Sequence, residues 1–143
     1  LKNDPLILKN YIKNYPNSPL IIDAINHLLN YYNTNGIVKE ELNLYNIYLN
    51  KFKDDPWFLN QYAWRMTELE INLDTALDQI NLSLNIFTGE SKQKAMIIDT
   101  KAEIYFKMKL YKDAVITINE SIKIDPDNQY YINQKNKFIE LIN

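Results

Sequence analysis

Apolar residues in this chain recur three and four positions apart, with no sustained alternation of two. Leu42, Tyr45, Leu49 and Phe52 show the spacing, and so do Ala114, Ile118, Ser121 and Ile122 if the small Ser is counted with the buried set. Such spacing places side chains on one face of a 3.6-residue helix and not on one face of a strand. It predicts eight helices, near 5–14, 19–33, 37–52, 56–69, 73–87, 92–108, 111–124 and 128–142, and therefore an all-α chain. The connections between them are short, as antiparallel helix hairpins require. Asn35-Gly36 and Thr88-Gly89 supply turn residues.

Proline placement sharpens the boundaries. Four of the five prolines follow Asp or Ser: Asp4-Pro5, Ser18-Pro19, Asp55-Pro56 and Asp125-Pro126. An Asp or Ser side chain accepts from the orphan N–H groups of a first turn, and Pro fits the first helical position. The first three pairs are expected to start helices. The fourth is expected to stop one, with a new start at Asp127.

The pattern also repeats. Tyr32, Met66 and Tyr105 each end the core stripe of a first helix, and Glu41, Ala76 and Ala114 open the helix that follows. Tyr48, Ser83 and Ser121 lie seven residues further on. The copies are about 35–39 residues apart, the length of a helix-pair repeat. Ala and Ser at these places let the second helix lie close against its partner, where a long side chain would force the pair apart.

Residues Ile98–Pro126 resemble a tetratricopeptide repeat, on Ile98, Ala102, Tyr105, Ala114, Ile118, Ser121 and Pro126; Lys101 departs from the family's usual Leu. The preceding copy is similar, with one residue inserted in its turn: Leu59, Tyr62, Ala63, Met66, Ala76, Ile80 and Ser83. A weaker copy aligns Ile25, Leu29, Tyr32, Tyr45 and Tyr48, with Glu41 in place of the small residue and a second helix about a turn longer. The resemblance implies a right-handed superhelical stack of antiparallel helix pairs, as a single domain over 1–143. It would comprise a partial leading repeat at 1–17, repeats near 18–54, 55–90 and 91–126, and a capping helix at 127–143. A second resemblance, of "FLNQYAWRMTE" and "IIDTKAEIYF", is to helical tails that follow thioredoxin-like domains in bacterial envelope proteins. It implies the alternative of a C-terminal region positioning or stabilising the catalytic domain of a thiol–disulfide oxidoreductase in the cell envelope, with the cysteine pair upstream. The chain begins at Leu1 rather than Met, which reads as a segment of a longer protein.

Composition removes several function classes. Hydrophobic residues make up 46% of the 143 positions, enough for a sizeable core, and the net charge is −2. Basic residues are scattered among acids, unlike the clustered Lys and Arg that neutralise phosphates, so no nucleic-acid partner is expected. There is no cysteine, hence no thiolate metal site or thiol catalysis within this chain. No apolar run has the length of a membrane span. A single histidine, His27, cannot build a multi-histidine metal site. Glycine at 36 and 89 alone rules out a Gly-rich phosphate loop. The "DPDN" stretch at 125–128 opens like a calcium loop but lacks its turn glycine and closing Glu; it reads as a helix stop and recap. Acidic pairs such as Asp54/Asp55 and Glu40/Glu41 fall at helix starts, where the dipole favours them. The Asn81 and Asn119 glycosylation patterns fall inside helices. No catalytic residue, metal or cofactor is expected, and no activity of the isolated chain.

The family resemblance implies a protein or peptide partner held in a concave groove lined by first helices. Counting from the matched core positions gives Asn26, His27 and Asn30 in the first copy. The second gives Trp57, Asn60, Gln61 and Trp64, and the third Met96, Asp99, Thr100, Glu103 and Phe106. The amides would pair with a peptide backbone, and Trp57 or Trp64 would anchor it. Asn26, Asn30, Asn60 and Gln61 are expected to share one strip with a tryptophan. Asp99 and Glu103 would make one end acidic, suited to neutral or basic ligand residues and hostile to the acidic terminus that chaperone-clamping repeats hold. Self-association through exposed end helices is a third expectation.

Overall fold

A computed structural model describes residues 4–142. Among them are eight α-helices and no strand: α1 (Pro5–Asn14), α2 (Ile21–Thr34), α3 (Val38–Tyr48), α4 (Pro56–Leu69), α5 (Leu73–Ile86), α6 (Ser91–Lys107), α7 (Tyr111–Ile124) and α8 (Gln129–Glu140). The chain divides into two compact units, Leu1–Asn50 and Lys51–Asn143. In the first, α2 packs on both α1 and α3. In the second, α4 to α8 each pack on the next helix, and α4 also touches α6.

The three hairpins α2–α3, α4–α5 and α6–α7 close with one turn geometry. A residue in the left-handed region follows each first helix: Gly36 at φ 65°, Glu70 at φ 54° and Lys109 at φ 63°. The next residue is apolar, and its N–H reaches back five positions to the carbonyl of Tyr32, Met66 or Tyr105. The bonds are Ile37 N–H to Tyr32 O at 2.9 Å, Ile71 N–H to Met66 O at 3.1 Å and Leu110 N–H to Tyr105 O at 2.9 Å. This Schellman closure satisfies carbonyls that a helix end otherwise orphans. Only the first copy uses glycine; the other two carry the steric cost of a Cβ in that conformation. The inserted residue of the second copy is Asn72, itself at φ 50°.

Small residues hold the paired helices of the second unit together. Ala76, Ser83, Ala114 and Ser121 are all fully buried. Both serines do more than leave room. Ser83 Oγ donates to Pro56 O at 2.7 Å, and Ser121 Oγ donates to Ala95 O at 2.9 Å. Pro56 and Ala95 are equivalent when Leu59 is set on Ile98, so the same clasp ties α5 to α4 and α7 to α6. In the first unit the matching residue Glu41 is buried at the start of α3 beside the core formed with Leu44 and Tyr45.

Asp4 and Asp55 cap α1 and α4 as expected, each side chain accepting from two backbone N–H groups. Ser18 does not cap α2. Its hydroxyl is engaged with Tyr11 of α1 at 2.5 Å and accepts from Leu20 N–H, and the helix starts at Ile21. The recap before α8 comes from Asn128, whose Oδ1 accepts from Tyr130 N–H at 3.1 Å, one residue beyond Asp127. Helix α3 stops at Tyr48 rather than running to 52. The reason is Phe52, which packs edge-on against Phe58 of α4 at 5.0 Å; its place in the apolar period reflects that partner and not a continued helix.

Candidate functional site

Asn26, Asn60 and Asp99 each follow the first core position of α2, α4 and α6: Ile25, Leu59 and Ile98. One residue along a helix is a turn of about 100° away from the core-facing direction. Among the described residues, three buried side-chain oxygens have no hydrogen-bond donor: Asn26 Oδ1, Asn60 Oδ1 and Asp99 Oδ1. All three therefore stand at the same place in the repeat register. Buried polar atoms are almost always paired in folded proteins, so a set of equivalent exceptions calls for an explanation.

In the second unit, two of these oxygens belong to residues that line one cleft of about 450 Å3. Its walls are Asn60 and Trp64 of α4, Met96, Asp99 and Thr100 of α6, and Asn128, Tyr130 and Tyr131 at the start of α8. The volume lies within the range of small-ligand sites. Trp64 is half-buried, and its indole N–H donates to Glu68 Oε1 at 3.1 Å, which fixes the ring. Thr100 Oγ1 spends its proton on Met96 O at 3.3 Å, so its lone pairs remain as acceptors.

Asp99 is only 6% exposed. Its pKa is pushed up to about 7, chiefly by burial and further by the Glu103 carboxylate; hydrogen bonding with Tyr130, the charge of Lys137 and the Gln134 amide act the other way. Glu103 lies one turn along α6 and is satisfied. Its Oε2 accepts from Lys137 Nζ at 2.8 Å and from Gln134 Nε2 at 3.2 Å. The two acids expected to form one negative patch are thus unequal: α8 pairs Glu103 and leaves Asp99 Oδ1 buried without a donor. Tyr130 is pushed up to about 12 by burial and by the charges of Asp99 and Glu103, so its phenol remains a neutral hydrogen-bonding group.

The remaining expected residues are dispersed. Trp57 is 38% exposed and meets Phe87 edge-on at 5.8 Å, outside the cleft. Gln61 is half-buried and does not line it. Phe106 stacks on Phe138 of α8 at 4.9 Å, with Lys137 Nζ 4.7 Å from its ring, and so packs against α8. In the first unit Asn26 is half-buried, while His27 and Asn30 are exposed. The cleft residues missed from the sequence are those of α8. Tyr130 shares a helical face with Gln134 and Lys137, which line no part of the cleft but bond Glu103; that polar face was legible in the sequence, but a helix read as a cap was given no polar role.

Among the described residues no group of His, Cys, Asp or Glu could hold a metal ion, and no helix is long and apolar enough to cross a membrane. Asp125 forms an ion pair with Lys92 at 3.1 Å and accepts from Asn128 Nδ2 at 3.2 Å; these contacts, Lys92 foremost, hold its carboxyl below the usual range. No family model matches the chain, and neither does a curated protein or a solved structure.

Proposed function

We propose that this chain is a tetratricopeptide-like interaction module whose first helices receive an extended segment of another protein. The observation that carries this reading is the recurrence of a buried, donor-less oxygen at one register position, with two of the three residues lining an aromatic cleft. Leaving a buried acceptor unpaired costs about 1–3 kcal/mol. These oxygens are closed to solvent, so a bound segment reaches them only by parting the helix faces around them, and an extended peptide carries N–H donors along its backbone that would then recover the cost. Trp64 and Tyr130 supply aromatic surface in the cleft, the combination of polar groups and aromatic area that marks a ligand site.

The test is nuclear magnetic resonance on the isotope-labelled chain, titrated with pooled random peptides. The indole N–H of Trp64 and the side-chain amide of Asn60 are expected to shift, with the Trp57 indole unmoved. Absence of any saturable shift at the cleft, or a response confined to Trp57, overturns the proposal.

A further inference from the structure

Helix α8 rests on α7 and reaches α6 through long side chains. Phe138 stacks on Phe106, Lys137 Nζ and Gln134 Nε2 bond Glu103 Oε2, and Tyr130 hydrogen-bonds to the Asp99 carboxyl. Gln134 Nε2 also donates to the Tyr130 hydroxyl at 3.1 Å, so the polar contacts form one chain from Glu103 to Asp99. The charges in that chain do not balance. Both acids are buried, and α8 brings them one cation, Lys137, which is bonded to Glu103 at 2.8 Å. Ionised Asp99 is an uncompensated buried charge whose Oδ1 has no donor; a proton on Asp99 removes that charge. The titratable groups facing Asp99 are Glu103 from α6 itself and Tyr130, Tyr131 and Lys137 from α8. From α4 the neutral Asn60 and Trp64 stand across the cleft, and no charged group of α4, α5 or α7, the other helices packed on α6, acts on the carboxyl.

We infer that α8 is a proton-linked latch: it holds α6 tightly while Asp99 carries a proton and loosens when Asp99 ionises. The sign follows from what α8 does to the carboxyl. With α8 in place, Asp99 titrates near 7 against an ordinary 3.8, because burial, helped by the Glu103 charge, outweighs the opposing action of Tyr130, Lys137 and Gln134. With α8 lifted away, water reaches the carboxyl and its value falls toward the ordinary range. The docked state therefore binds the proton more tightly than the open one. Docking gains from acid below about pH 7 and loses that gain as pH rises through it. Asn128, Tyr130 and Tyr131 form one wall of the cleft, so the same opening takes that wall away.

Native-state hydrogen exchange of the full chain, read by nuclear magnetic resonance at pH 6 and pH 8 in low, stepped urea, tests the latch. Each rate is divided by the unstructured rate at the same pH, which removes the base catalysis of exchange itself. Amides of α8 should exchange through a partial opening, with a smaller urea dependence than the most protected amides of α4 and α5. Their protection should fall about tenfold from pH 6 to pH 8, the factor that one pH unit below a midpoint near 7 supplies. In Asp99→Asn, which keeps the shape and cannot ionise, α8 protection should be the same at both pH values. Amides of α8 that share the free energy and urea slope of the whole chain overturn the latch, because α8 then leaves only with global unfolding. Protection of α8 that does not change with pH in the wild type overturns it as well. So does a pH-dependent loss that persists in Asp99→Asn, which assigns the proton to another group.

Discussion

The α4–α5 and α6–α7 hairpins are built alike and differ at one chemically decisive place. Both close through a non-glycine residue in the left-handed region, both bury an Ala at the first close approach, and both fasten with a serine hydroxyl on a carbonyl of the preceding helix. Their first helices then present Asn60 in one and Asp99 in the other at the same register. The shared features belong to packing, since a helix pair needs them whatever it binds. The amide-to-acid difference adds nothing that packing requires. It buries a carboxyl beside Glu103 and raises its pKa to about 7, which is a cost to folding and not a gain. A residue kept against the interest of stability is a candidate for function.

The largest effect should come from removing that cost. The ordinary Asp value is 3.8, and Asp99 in the folded chain titrates near 7. The folded state therefore holds the proton more tightly than the unfolded chain. Its stabilising contribution is complete below about pH 4 and is lost as pH rises to 7 and above, a span worth roughly 4 kcal/mol. Asp99→Asn should stabilise the chain at pH 8 and have little effect at pH 4, as read by urea melts at the two values. Equal effects at both would mean that the carboxyl is not held protonated by its surroundings, and the contrast with Asn60 would lose its meaning.

Next in size are overpacking changes, which ask whether the two hairpins are as alike as the clasp suggests. Ala114→Leu and Ser121→Leu should each cost about 1–3 kcal/mol, and Ala76→Leu and Ser83→Leu should cost similar amounts. A thermal melt unmoved by the α7 pair would show that the close approach of α6 and α7 is not held there.

The clasp alone should be worth less. Ser83→Ala and Ser121→Ala remove one hydroxyl each and leave room unchanged, so each should cost about 1 kcal/mol. A difference between them beyond about 0.5 kcal/mol would break the equivalence that the register assigns.

The smallest effects belong to the turns. Lys109→Gly relieves a Cβ in the left-handed region and should gain up to about 1 kcal/mol in a denaturant melt. Glu70→Gly should gain less, because Glu70 also accepts from Lys107 Nζ at 2.7 Å. If Lys109→Gly destabilises, the strain is offset by contacts of the Lys109 side chain itself.

Much of this architecture could be read from the residues because the physics concerned is local. The three-and-four spacing requires helices, Asp4-Pro5 and Asp55-Pro56 require starts, and the recurrence of Ala and Ser marks where two helices approach. Tyr32, Met66 and Tyr105 were recognisable as ends of a core stripe, although their role as acceptors in one repeated turn was not, since nothing in Glu70 or Lys109 advertises a left-handed backbone. Where a side chain had two local options, the sequence could not choose. Ser18 could cap α2 or bond Tyr11, and Phe52 could extend α3 or pack on Phe58; a partner distant in the chain took it in each case.

The candidate site divides along the same line. Sequence register alone put Asn60, Trp64, Met96, Asp99 and Thr100 on the helix faces that meet in the cleft, because register is a property of helical periodicity. Only the tertiary structure decided which of the acids gains an ion pair. That depends on α8, which brings Lys137 and Gln134 to Glu103 and Tyr130 to Asp99 from more than thirty residues away. Charge pairing falls off with distance in space and is blind to distance along the chain, so the equal-looking pair Asp99 and Glu103 became one ion-paired carboxylate and one buried carboxyl with a donor-less oxygen only when the last helix was in place.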